Sequence, residues 1–350
     1  MKVLITGSMG YIGTALMNRL SLDDMSDIET FPVDNQYRVQ WVKEVGGESL
    51  TIYPSPRCFY CNLTDYNTVA TILQFVQPDV ILHLASQPSG PYSEISSQHR
   101  MFTQDNNIKS LEILLNATKD LLDMKVLAKL PSFIVTTTTG IPGAPGEPII
   151  ESHMQNLAGS EYHMTRGFDS ANLNLASRQW GFKILELRTS IVYGTRVNDL
   201  PYPVTRFDWD FYFGTAINRF CLSKKMNKPI TIYGKGLQMK PVISLRDTVA
   251  SLIHAMRSDI IPGHEIMNQT TECLSVVDMA NQIGGEVIHI PNPRVEKEDY
   301  TMDIRNEKFL KLLNKPITKL KDESSSILFD IDTNLLPNNW QSVYDGRRPK

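Results

Sequence analysis

The chain is poor in cysteine, has no long apolar run and carries almost no surplus charge, and each shortage excludes something. Four cysteines in 350 residues cannot build the dense disulfide framework of small secreted domains, which points to a reducing, cytoplasmic setting. No stretch approaches 18 consecutive apolar residues, so no segment is expected to span a membrane. Lys+Arg 35 against Asp+Glu 38 leaves a net charge of −3. That is too little basic surplus for nucleic acid or an anionic membrane as the main partner. A strand starting at Lys2 leaves no room for a targeting leader. Cys58 and Cys61 form a lone Cys-x-x-Cys pair without a second pair or clustered histidines, so no metal is expected. What remains is ordinary globular material, 41% hydrophobic and 21% charged, enough for one large or two medium cores.

Strand and helix patterns alternate from the first residues. Lys2–Thr6, Glu29–Val33, Arg57–Cys61, Val80–Leu84, Ser132–Thr137 and Lys183–Arg188 read as strands. Between them, Tyr11–Leu20, Asn67–Gln77, Met101–Met124 and Tyr162–Trp180 have helical spacing. This rhythm predicts an α/β fold with a doubly wound parallel sheet. The Pro- and Gly-rich stretch from Ile141 to Gly159 reads as a long active-site loop. After Gly194 the rhythm changes and aromatics cluster in Phe207–Phe213. A smaller, interleaved C-terminal substrate domain is expected at 194–350, against a cofactor domain at 1–193 with a return segment near 240–260. The polar tail after about Asp322, with Ser324-Ser-Ser326, reads as loosely attached.

Thr6-Gly7-Ser8-Met9-Gly10-Tyr11-Ile12-Gly13 spaces three glycines between a strand and a helix. Gly7 would allow the tight turn, Gly10 a close approach of backbone to pyrophosphate, and Gly13 close helix–strand packing. The helix N-terminus would then face the phosphates, as in a Rossmann fold. Asp34, ending the second strand, is placed for the adenosine ribose hydroxyls and would repel a 2′-phosphate, which favours NAD; Arg38 nearby leaves NADP as the alternative. Tyr162 and Arg166 stand at i and i+4 on one helix face. A cation beside a phenol lowers its pKa, making Tyr162 a candidate general base. Thr136-Thr-Thr-Thr139 puts hydroxyls at a strand end. His83, also at a strand end, reads as a satisfied structural histidine.

Together these motifs resemble the extended short-chain dehydrogenase/reductase superfamily, whose members modify nucleotide sugars, and within it the UDP-sulfoquinovose synthases. The likeness runs to about Lys311. It includes Gln87–Ser93, Phe102–Asn107, Tyr162-His163 with Phe168–Ser170, Ile191–Gly194, Phe213–Cys221, Tyr233–Gly236, Arg246–Thr248 and Pro291–Glu296.

The resemblance implies a catalytic Tyr162 assisted by Thr138, with Arg166 in the place of the family's Lys; because Ile141 stands where the family has an acid, His163 is the candidate to assist elimination. It implies an NAD site made by Gly7, Gly10, Tyr11, Ile12, Gly13, Asp34, Asn62, Leu63 and Leu84, with Tyr162 and Arg166 at its nicotinamide end. UDP would rest on Thr215 and Asn218, with Lys240 and Arg294 at the diphosphate. Several positions depart from the family pattern: Ile141 replaces an acid, Pro88 and Lys240 each replace an Arg, and Asn62 replaces an Asp. The implied reaction oxidises a UDP-hexose, foremost UDP-glucose, to a 4-keto sugar and adds sulfite at C6. A UDP-sugar 4-epimerase or 4,6-dehydratase is the alternative, and an NAD- and UDP-sugar-binding sensor is the third. A homodimer through the helices near 101–124 and 162–180 is also implied.

Overall fold

The computed structural model describes residues 1–142, 149–151, 159–292 and 303–346, apart from the side chains of Val39, Val42 and Lys43. The first half runs β1 (Lys2–Thr6), α1 (Tyr11–Leu20), β2 (Glu29–Asp34), α2 (Tyr37–Val45), β3 (Phe59–Tyr60), α3 (Tyr66–Val76), β4 (Val80–His83), α4 (Gly90–Ser93), α5 (Ser97–Asp123), β5 (Ser132–Thr138), α6 (Glu161–Trp180) and β6 (Lys183–Thr189). The second half follows. It runs β7 (Ile191–Tyr193), α7 (Ala216–Lys225), β8 (Ile230–Tyr233), β9 (Met239–Ser244), α8 (Leu245–Arg257), β10 (Gly263–Gln269), β11 (Glu272–Ser275), α9 (Val276–Ile283), β12 (Val287–Ile290), α10 (Glu307–Leu313), α11 (Leu320–Asp330) and α12 (Trp340–Tyr344).

Seven strands form one parallel sheet in the order β10-β6-β5-β4-β1-β2-β3. This is the doubly wound arrangement that the strand–helix alternation predicts. Successive residues of a strand face opposite sides of the sheet. Val3 and Ile5 of β1 therefore join Leu82, Ile134 and Leu187 in a core closed by α1 and α8. Leu4 joins Ile81, Phe133 and Val135 on the other face, under α3, α5 and α6. Burying each large side chain of this kind contributes about 1.5–3 kcal/mol. The strand order reverses between β1 and β4, and a doubly wound sheet takes its ligand at the carboxyl ends beside such a point.

A three-stranded sheet (β11-β9-β7) and a two-stranded one (β12-β8) frame a third core around Trp209, Ile217, Phe220 and Met279. Residues 240–244 of β9 belong to the three-stranded sheet, while α8 and β10 return to the large one. The polar tail is not loosely attached. Ile327, Ile331 and Val343 are buried in the third core, and Glu323 pairs with Arg246 at 2.8 Å. Ser325 lies on the exposed side of this helix, while Ser324 is buried with Ile327. The third strand is shorter than its apolar run suggests, only Phe59–Tyr60. Helix α2 has no pattern that announces it. Gln36 precedes it in the left-handed conformation (φ 55°) and its side chain makes no cap bond; the first amide, Tyr37 N, donates instead to Asn35 Oδ1 at 3.1 Å, so the usual start signal is displaced by one residue. Tertiary packing of Trp41 and Val45 against Tyr92, Phe102 and Phe213 holds it instead.

Candidate active site

A cleft of about 1760 Å³ runs along the carboxyl ends of β1, β2, β4 and β5 and on toward α7 and β9. Its floor is the turn from β1 into α1. Gly7 has φ +73°, and a Cβ there would lie 2.6 Å from the backbone nitrogen of Ala85. A Cβ on Gly13 would collide with the Gly7 carbonyl and sit 2.8 Å from Ser8 Cα. Gly10 is different: only the Gly7 carbonyl, at 3.0 Å, would meet its Cβ, and the other side is open to the cleft. No side chain caps α1, which leaves its first amides available to an anion.

Asp34 closes this floor. Its carboxylate accepts from Met9 N at 3.0 Å and Gln36 N at 2.6 Å, and burial raises its pKa despite those bonds. Leu63 and Leu84 also line the cleft. Asn62 does not; it is exposed, and its Oδ1 accepts from Thr64 N at 3.3 Å. Arg38 pairs with Asp208 at 3.0 Å and lies 3.5 Å from the centroid of the Phe213 ring.

At the other end, Ser160 caps α6, setting Tyr162 and His163 in its first turn at the cleft wall. The Thr138 hydroxyl accepts from Gly140 N at 3.1 Å and favours the Tyr162 phenolate. The sequence reading has Arg166 lowering the Tyr162 pKa toward neutrality; Arg166 does act in that direction, but the net shift is the opposite. Burial raises the phenol above its ordinary value, outweighing Arg166, and Asp169 raises it further. Arg166 is fully buried, its Nη1 2.7 Å from Asp169 Oδ2 and its Nη2 donating to the Thr136 carbonyl. Its charge is largely spent on Asp169, whose own carboxyl burial pushes up to about 7.

His163 keeps a neutral imidazole. Burial first, and then Lys240, push its pKa down to about 4, and Ser160 Oγ holds its Nδ1 at 2.7 Å. Gly140 leaves room for the ring: a Cβ there would overlap His163 Cδ2 and lie 2.7 Å from Nε2. His83 is satisfied through Nδ1 by Thr6 Oγ1 at 2.8 Å, and burial pushes its pKa down to about 3.

Thr215, Asn218 and Lys240 meet along the far wall. The Thr215 side chain caps α7 by accepting from Asn218 N at 3.3 Å, and Asn218 Nδ2 donates to the Asp208 carbonyl at 2.8 Å. Asn218 Oδ1 and Gln238 Oε1 are buried in the wall without a hydrogen-bond partner. Pro88 lines the opposite rim, while Ile141 is buried and outside the cleft. Arg294 lies outside the described residues. Among the described residues no group of three or more His, Cys, Asp or Glu could hold a metal ion, and no helix is long and apolar enough to cross a membrane.

Sequence reasoning did not single out Gln238, Arg206 or Asp208. Asp169 stood in a quoted motif, at i+3 from Arg166, but without a role.

Residues 3–268 match the model of the NAD dependent epimerase/dehydratase family. UDP-sulfoquinovose synthase of Spinacia oleracea is 29% identical, over 90% of this chain and 72% of its own length. The Sulfolobus acidocaldarius UDP-sulfoquinovose synthase is 28% identical, over 86% and 84%. Among solved structures, UDP-glucose 4-epimerase of Thermotoga maritima with UDP-glucose superposes with a TM-score of 0.73 at 19% identity, covering 96% of this chain and all of that one. UDP-glucuronic acid 4-epimerase of Bacillus cereus, bound to UDP-glucuronic acid and NAD, gives 0.73 at 21%, over 95% and 100%. The chain belongs to the NAD dependent epimerase/dehydratase family, and NAD is its cofactor. The cleft floor fits a dinucleotide on its own evidence: two glycines with no space for a Cβ, a third open to the cleft, an uncapped helix and a buried carboxylate.

Proposed function

We propose that this family member acts on a UDP-hexose, foremost UDP-glucose, through a 4-keto sugar, and that it eliminates across C5–C6 and adds sulfite, as a UDP-sulfoquinovose synthase does. One observation supports elimination above all. Tyr162 and His163 are consecutive on α6, their ring centroids 5.0 Å apart, both at the cleft wall, and His163 is neutral. A phenol and a neutral imidazole side by side serve two proton transfers, where epimerisation needs only one.

Bound NAD supplies the reversible hydride exchange at C4. Gly7, Gly10, Tyr11, Ile12, Gly13, Asp34, Leu63 and Leu84 would hold it, with Arg166 behind its nicotinamide end. Tyr162 takes the proton of the C4 hydroxyl, with the Thr138 hydroxyl steadying the phenolate. His163 takes the C5 proton, made acidic by the neighbouring ketone, and passes it to the departing C6 hydroxyl, which leaves as water. Thr215, Asn218 and Lys240 bind the UDP, with Arg294 as a further diphosphate ligand. Residues 1–193, with a return in the region of 240–260, carry the cofactor, and 194–350 mainly carry the nucleotide sugar. We take the protein as a homodimer through α5 and α6, whose outer faces expose Met101, Phe168 and Leu175; light scattering at micromolar concentration tests this. The four cysteines are free thiols, which fits a cytoplasmic setting.

A 4-epimerase reading has its own support. Ile141 is apolar and turned away from the cleft, so that position offers no carboxylate. The test is incubation with UDP-glucose, with and without sulfite, followed by mass spectrometry and NMR. A UDP-sulfosugar upholds the proposal, and an epimer formed without sulfite replaces it with the second reading. Unchanged UDP-glucose with clear calorimetric binding leaves a sensor.

A further inference from the structure

Two guanidinium groups stand in the cleft and share one carboxylate. Arg38 Nη2 is 3.0 Å from Asp208 Oδ1, and Arg206 Nε is 3.4 Å from Asp208 Oδ2. Both arginines are more than nine-tenths buried, at 9% and 8% exposure, and both line the cleft. Yet Arg38 Nη1 and Nη2 and Arg206 Nε are buried without a well-formed hydrogen bond. Buried guanidinium donors are costly to leave unpaired. Asp210 and Asp34 act on Arg38 and Arg206 through charge, but their carboxylates accept hydrogen bonds from backbone amides. Asp34 accepts from Met9 N and Gln36 N, and Asp210 accepts from Tyr212 N and Phe213 N, both at 2.9 Å.

The placement is fixed from two sides. Thr205, beside Arg206, donates through Oγ1 to the Tyr11 carbonyl at 2.6 Å, so this strap lies directly over the first turn of α1. Arg206 is also near enough to Asp34 to lower its pKa. It therefore stands near both the first turn of α1 and the acid, on the cleft that Gly10 also lines. Arg38 is held flat on Phe213 at 3.5 Å, its fork oriented before any ligand arrives. Paired guanidinium forks suit a diphosphate, whose oxygens accept parallel charge-assisted bonds.

We propose that Arg206 and Arg38 clamp the diphosphate of the bound dinucleotide from the side opposite the glycine turn. This rests on the reading of that turn as the NAD site. The same chemistry could serve the diphosphate of the UDP-sugar, and the test separates the two.

NADH and UDP affinities are measured by calorimetry on wild type, Arg206→Gln, Arg206→Lys and Gly10→Val, each checked for folding by thermal melting. Arg206→Gln is expected to weaken NADH about tenfold or more, the loss of one strong charge-assisted contact, with UDP unchanged within about twofold. Arg206→Lys keeps the charge but not the fork, so a smaller loss is expected, and it answers the question if the Gln variant does not fold. The clamp is overturned if Arg206→Gln binds NADH like wild type, or if it loses as much UDP affinity as NADH affinity. Gly10→Val tells the two failures apart. Full NADH binding in that variant removes the glycine turn as the cofactor site. Lost binding there with wild-type binding in Arg206→Gln removes only the clamp.

Discussion

Replacing Asp169 with asparagine should lower the Tyr162 pKa and make its phenolate, the base form, available at lower pH. In the native chain the Arg166 charge is opposed at 2.7 Å by Asp169, with both groups buried. Tyr162 and Asp169 are seven residues apart on one helix, about 10 Å along its axis. A unit charge at that distance, in an effective dielectric of about 20, is worth about 1.7 kcal/mol, or about 1.2 pH units on the phenol. Removing the carboxylate removes that opposition and leaves the guanidinium to act alone. Because the Asp169 carboxyl is pushed up to about 7, it is mostly neutral well below that pH. Variant and native enzyme should then behave alike at low pH and separate above pH 7. The groups facing the pair from other elements, His83 on β4 and Glu186 on β6, are unchanged by the substitution. The assay is the pH dependence of the single-turnover rate of NAD reduction by UDP-glucose. The acid limb should move down by about one unit in Asp169→Asn, and Tyr162→Phe should abolish the rate. An acid limb that stays in place, or moves upward, refutes the account of Arg166 as a cation muted by its neighbour.

Three further outcomes follow from the same geometry. Gly140→Ala puts a Cβ against the His163 ring; the ring must move, and a shift of about 1 Å costs on the order of a hundredfold, so product formation should fall while NAD reduction in the first turnover persists. Glu186→Gln should destabilise the protein by about 3–5 kcal/mol in urea unfolding, since Glu186 is fully buried and accepts from Thr137 at 2.6 Å, Ser170 at 2.8 Å and His264 at 2.8 Å. Burial alone would raise its pKa, but His264, Arg188 and Thr137 together depress it to about 2, so its contribution is present above the ordinary carboxylate range and is lost as pH falls from there through about 2; a native-like acid unfolding curve in the variant would contradict this. Asp169 has the opposite sign: its raised pKa makes the folded state retain a proton the unfolded chain has released, so stability falls as pH rises from about 4 to 7. Asp169→Asn should flatten that slope in denaturation midpoints measured across the window.

Much of this arrangement was legible beforehand. The glycine spacing and Asp34 belong to a segment whose chemistry is local, and strand, turn and helix follow each other within one short stretch. Tyr162 and Arg166 were readable as neighbours because helical geometry fixes i,i+4 pairs. What could not be read was burial. The spacing of Asp169 from Arg166 is equally plain in sequence, but only packing makes both fully inaccessible, and burial then decides the sign of the Tyr162 shift. Arg38, Arg206 and Asp208 come from distant parts of the chain, and no local pattern brings them together. The tail misled through composition, because Ser324-Ser-Ser326 disguises an amphipathic helix anchored by Ile327. Helix α2 was missed because the residue at its cap position, Gln36, makes no capping bond and Asn35 serves the first amide from one residue earlier.

The strand order has a consequence for how the protein is made. β10 pairs with β6 at the edge of the large sheet, yet everything from β7 to α8 is synthesised between them. During translation, at about 5–20 residues per second, the nascent cofactor-binding half must keep the edge of β6 unpaired until Gln269 has emerged. Glu186 sits on that waiting edge, and its partner His264 arrives only with β10. A charged residue on an unfinished strand discourages pairing with the wrong chain.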